Sequence, residues 1–130
     1  MPDPRPLAFD REGNIPVCDV KVKFPHLGSY DVTRWNASGR GPQTVGRGNT
    51  LDSLGDAFRL VRTRVEFSKL DGHYLTWVIW IQRTVPGSQA PWEFQLDLWQ
   101  GETLVAREAR QGEMASDFVP FRGVYRIELI

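Results

Sequence analysis

The chain has 130 residues, 41% of them hydrophobic and 25% charged, and its 16 basic and 16 acidic residues give a formal net charge of zero. That length predicts one domain, which can bury roughly two-thirds of its unfolded surface without staples. The charge balance removes the simplest nucleic-acid argument, which needs a basic excess to displace counterions from phosphates. The single Cys18 excludes an intrachain disulfide and a cysteine-built zinc site.

The first fifteen residues, with the proline run "PDPRP", read as an extended N-terminal arm; they lack the apolar core of a signal peptide. Residues 16–130 read as a single β domain. "PVCDVKVKF" alternates Cys18, Val20, Val22 and Phe24 against Asp19, Lys21 and Lys23, the pattern of a half-buried strand. "SYDVTRW" repeats it through Tyr30 and Val32. Residues 36–50, "NASGRGPQTVGRGNT", are glycine-rich and read as a loop.

In the next stretch two periods compete. Leu51, Leu54, Phe58 and Val61 recur at helical spacing behind a candidate cap, Thr50, which predicts a short helix near 51–60. Gly55 weakens that helix by about 1 kcal/mol relative to alanine. From Val61 a two-residue period predicts a strand to about residue 69. Asp71-Gly72 is then the strongest hairpin signal in the chain.

The strand that follows, "HYLTWVIWIQ", is apolar at Leu75, Trp77, Ile79 and Ile81, but also at Tyr74, Val78 and Trp80. Such a strand is expected to be central and covered on both faces, by a helix, the arm or a neighbouring molecule. "WEFQLDLWQ" and "TLVARE" continue the meander. "DFVPFRGVYRIELI" completes it, with Tyr125, Ile127 and Leu129 on one side. The expected architecture is a mainly β, antiparallel sandwich or meander of about six to seven strands with one short helix.

Motifs for catalysis are scarce. His26 and His73 fall in turns without a second ligand at metal spacing, and both are expected to be solvated. Asp52 and Asp56 would sit one helical turn apart, where the helix dipole accounts for them without chemistry. Cys18 alternates inward as a buried thiol. These observations favour a non-catalytic chain without metal or cofactor and leave an enzyme open, because catalytic groups can assemble from distant residues.

Two other constellations point to binding. Residues 34–64 hold six arginines against two aspartates, and Gly-Arg-Gly occurs at 39–41 and 46–48. Arg40, Arg47, Arg59, Arg62 and Arg64 are therefore candidate contacts to RNA or single-stranded nucleic acid. Trp35, Trp92, Trp99, Tyr74 and Trp80 are candidate interface or ligand-stacking residues, with Trp92 and Trp99 the pair for a carbohydrate. The reading preferred here is a binding and assembly module, docking on a protein partner or on copies of itself as a homo-oligomer. A structural or accessory protein of a phage or virus fits this description, as does a soluble cytoplasmic or virion-associated location without a membrane span.

Overall fold

A computed structural model describes residues 3–130, except for the side chains of residues 24–25 and 50–54. In chain order the elements are β1 (Arg5–Phe9), β2 (Val17–Trp35), β3 (Gln43–Arg59), α1 (Arg64–Phe67), β4 (Tyr74–Gln82), β5 (Pro91–Gln100), β6 (Thr103–Glu113) and β7 (Phe118–Leu129). The hydrogen-bonded order is β1-β7-β4-β2-β5-β6, with β3 also on β2. Because β2 and β3 each serve both layers, the described residues make nine strands in two sheets that do not close, against the six or seven expected.

The division follows from the pairing of β2. Its first part, Val17–Val22, pairs with β5, and its second, Leu27–Trp35, pairs with β4. Register shifts fall between Val20 and Val22 and between Val22 and Leu27, where the strand turns from one sheet into the other. Gly28 permits the turn, since a Cβ there would run into the Val22 side chain. One sheet is thus β1-β7-β4 with the second half of β2 and the first of β3. The other is β6-β5 with the remaining halves.

The interior is filled by the positions that alternation turns inward: Cys18, Val20 and Val22, then Tyr30 and Val32, with Leu75, Trp77, Ile79 and Ile81 from β4, Phe94, Leu96 and Leu98 from β5, and Tyr125, Ile127 and Leu129 from β7. Four rings span the layers. Phe94 lies 6.0 Å from Trp77 and 4.9 Å from Phe121, and Trp92 lies 4.9 Å from Phe121.

β1 lies parallel to β7 and buries Leu7 and Phe9. At the seam where β1 approaches β6, Glu108 is 1% exposed, accepts the Tyr125 hydroxyl at 2.6 Å and pairs with Arg5 and Arg110. Burial pushes the Tyr125 phenol up, against the opposing pull of Arg5 and Arg110.

Several expectations are corrected. Residues 51–59 are strand, not helix, because the second half of β3 finds its hydrogen bonds on Val17–Val22 of β2. Phe58, opposite Cys18 in that pairing, stacks on Tyr30 of the second half of β2, with ring centroids 5.7 Å apart. Much of the expected loop 36–50 is also β3, whose Gly46 leaves room for the Phe58 ring.

The helix falls instead at Arg64–Phe67, inside the segment expected to be a strand. A capping box starts it: the Thr63 hydroxyl accepts from the Glu66 N–H, and the Glu66 carboxylate accepts from the Thr63 N–H. "TRVE" was the sequence signal for it. Asp71-Gly72 links this helix to β4 and is no hairpin, although Gly72 does take the left-handed conformation, φ 81°.

β4 is central but not covered equally on both faces. Leu75, Trp77, Ile79 and Ile81 are buried, whereas Tyr74, Thr76, Val78 and Trp80 are half-buried. The helix and the arm put Phe67, Leu7 and Phe9 into the core rather than over this outer face. Among the described residues no helix is long and apolar enough to cross a membrane.

Candidate functional site

Two regions gather residues with binding chemistry. The first is the outer face of the five-stranded sheet. Trp35 on β2 lies directly opposite Tyr74 on β4, and with Pro4, Thr76, Val124 and the Ala37–Gly39 turn it lines a groove of about 410 Å³. The Trp35 indole N–H donates to the Thr76 hydroxyl at 2.9 Å, so its polar atom is satisfied and its ring presents apolar surface. Val78 and Trp80 continue this face along β4. Opposite Trp80 and Gln82, β7 contributes Pro120 and Phe118, the latter 45% exposed.

The second region is a polar pocket of about 280 Å³ lined by Arg34, Gln43, Thr44, Val45, Arg59, Leu60, Val61 and Arg62. Arg34 was not among the sequence candidates, yet its signal was present: the parity that turns Tyr30 and Val32 inward also turns Arg34 inward. It is 9% exposed, one of its terminal nitrogens donates to Gln43 Oε1 at 2.6 Å, and its Nε has no partner. Burial pulls its pKa down, partly offset by Glu66.

The candidate arginines separate into groups. Arg59 and Arg62 line this pocket, and Arg59 shares a neighbouring cleft with Arg64, Glu12 and Asn14. Arg64 donates to the Gly13 and Arg11 carbonyls and lies 5.2 Å over the Phe67 ring. Arg47 donates through Nε and a terminal nitrogen to a single Asp31 oxygen, at 2.9 and 2.6 Å. Arg40 is exposed in the loop before β3.

The tryptophans also separate. Trp92, expected at the surface, is 8% exposed; its indole donates to the Glu113 carbonyl and its ring joins the inter-layer cluster. Trp99 is half-buried on the opposite face of β5, so the two form no common platform.

Neither histidine is freely solvated. His26 is fully buried where β2 turns between the sheets, and its Nε2–H donates to the Ala90 carbonyl at 2.7 Å. His73 is half-buried, and its pKa is lowered from 6.5 by burial and by the Arg34 charge. A group with a lowered folded pKa stabilises fully above its unfolded value and loses that contribution as pH falls toward the folded one. Chemical denaturation should therefore show stability declining as pH drops below 6.5. His73→Gln should flatten that decline; an equally steep one in the variant would place its origin elsewhere.

Asp56 accepts the Tyr30 hydroxyl and now lies on a strand, which removes the one-turn spacing expected with Asp52; the Asp52 side chain lies outside the described residues. Burial, with Asp19 and Asp97 nearby, pushes the Cys18 thiol far up, so it stays protonated. Among the described residues no group of three or more His, Cys, Asp or Glu is placed to hold a metal. No protein-family model, no curated protein and no solved structure matches this chain.

Proposed function

We propose that this protein is a non-catalytic assembly module that docks, on a protein partner or on copies of itself, through the outer face of its five-stranded sheet. The observation that carries this reading is the half-buried apolar strip on a central strand: Tyr74, Val78 and Trp80 of β4, flanked by Trp35 and Val124. In a strand facing only water, alternate positions would be polar.

The size of the face suits the role. Five strands about 4.8 Å apart and nine residues at about 3.3 Å each make a face of roughly 24 by 30 Å. A standard interface buries about 800 Å² per partner. Aromatic anchors bordered by polar groups are the usual energetic centres of such interfaces; here Arg122 of β7 and Asp31 of β2 lie directly opposite Val78, and Arg126 lies opposite Tyr74.

Val78→Arg places a charge at the centre of the strip while leaving the inward residues of β4 alone. Sedimentation at micromolar concentration should show the wild type as an oligomer and the variant as a monomer, both with the same far-ultraviolet circular dichroism. Oligomers of equal mass in both would sink this assignment of the face. A wild type that remains monomeric would remove self-docking and leave the protein partner, whose binding must then fail with Val78→Arg.

A further inference from the structure

We infer that the pocket of Arg34, Arg59 and Arg62 is a binding site for a tetrahedral oxyanion, presented as a phosphate monoester. It is separate from the docking face, being built by the inward end of β2, the start and end of β3 and the loop before α1.

The lining is the first argument. Its residues include three arginines, a glutamine and a threonine, and no acidic residue. Gln43 uses its oxygen on Arg34, which leaves only donors on its amide, and Thr44 adds a hydroxyl that can donate. Every polar side chain of the lining can thus present a hydrogen to an anion.

The second argument is the state of Arg34. It is nine-tenths buried, forms no ion pair with any described residue, and keeps an Nε–H without an acceptor. A buried charge left uncompensated is costly, and proteins ordinarily answer it with a carboxylate. The nearby Glu66 carboxylate, which accepts from the Arg62 and Thr63 N–H groups at the helix cap, offsets that charge only in part. An oxyanion in the pocket supplies further negative charge beside Arg34, Arg59 and Arg62.

The third argument selects the anion. Guanidinium forks match the paired oxygens of carboxylate and phosphate alike, but three of them around one space favour a dianion over a monoanion. A phosphate monoester carries a charge of about −1.5 to −2 at pH 7. A phosphodiester carries a single charge. A pocket with a buried arginine in its lining also suits a terminal group better than a continuous backbone.

The test is titration with inorganic phosphate, followed by nuclear magnetic resonance of the arginine Nε–H groups and the His73 ring at fixed ionic strength, with acetate as control. Phosphate should shift the Arg34 Nε–H and raise the His73 pKa, because it cancels the positive potential that Arg34 imposes there; acetate should do so more weakly. Arg34→Gln should weaken phosphate by about tenfold or more, as expected for a lost charged hydrogen bond. Arg62→Gln, at an exposed position that leaves folding intact, should weaken it severalfold, and Lys23→Gln should leave it unchanged. Phosphate effects no larger than those of acetate, or equal affinity in wild type and Arg62→Gln, would overturn the site.

Single-stranded oligonucleotides with a 5′-phosphate or a 5′-hydroxyl identify the source. Tighter binding of the phosphorylated form than of free phosphate supports a nucleic-acid terminus, and equal binding supports a small phosphorylated molecule. Equal binding of both oligonucleotides would overturn the monoester assignment.

Discussion

Phe94→Ala should cost about 3–5 kcal/mol of unfolding free energy, the range for truncating a fully buried phenylalanine. Phe94 is 1% exposed and touches rings from both layers: Trp77 of β4 and Phe121 of β7 on one side of the core, and Trp92 of its own strand on the other. Those neighbours are held by strand hydrogen bonds, and the Trp92 indole is tied to the Glu113 carbonyl, so they cannot collapse into the space. The cavity therefore persists, and its cost adds to the lost transfer energy.

Against a typical total stability of about 5–15 kcal/mol, this one change removes a large part of the margin. Urea denaturation followed by tryptophan fluorescence measures it directly, because Trp77 and Trp92 both contact the site. The midpoint should fall while the slope stays near the wild-type value. A loss under about 1.5 kcal/mol would mean that the layers do not depend on this cluster.

Glu108→Ala is expected to cost about 2–4 kcal/mol, through a different mechanism. Here no large volume disappears. The buried Tyr125 hydroxyl loses its acceptor, and Arg5 and Arg110 lose the carboxylate that draws the β1 and β6 edges together. The two arginine side chains are 60% and 48% exposed, so water recovers much of their solvation, and the penalty rests mainly on the hydroxyl.

Glu108→Gln retains an acceptor for Tyr125 and should cost only about 1 kcal/mol. A double-mutant cycle with Tyr125→Phe should then give a coupling of about 1 kcal/mol or more. If Glu108→Ala and Glu108→Gln proved equally mild, the seam would owe its stability to backbone pairing and not to this carboxylate. The same experiment reports on β1, since an N-terminal strand held by one parallel neighbour should gain hydrogen exchange when the pairing goes.

The local facing of side chains was determined by the sequence alone. Strict alternation in "PVCDVKVKF", "WEFQLDLWQ" and "VYRIELI" marks Val20, Leu96 and Ile127 as inward, and all three are buried. That pattern depends only on the two-residue period of an extended chain, so it survives without knowledge of the partner strand.

Tertiary structure decided the rest, wherever two local readings were nearly equal in energy. Residues 51–59 satisfy helical spacing through Leu51, Leu54 and Phe58, yet they form a strand because β2, distant in sequence, pairs with them at Leu51–Asp52 and Asp56–Arg59. Trp92 and Trp99 both look like surface aromatics beside polar neighbours. Trp92 shares the inward parity of Phe94 and Leu96, but only the packing of Phe121 from β7 supplies the ring it is buried against, while Trp99 on the other face stays half-exposed. Arg34, Arg59 and Arg62 are spread over 29 positions and become neighbours only because β2 and β3 fold back on each other. Alternation encodes which way a side chain points; which other side chains it meets there depends on pairings between distant segments, and those free energies exist only once the sheets have formed.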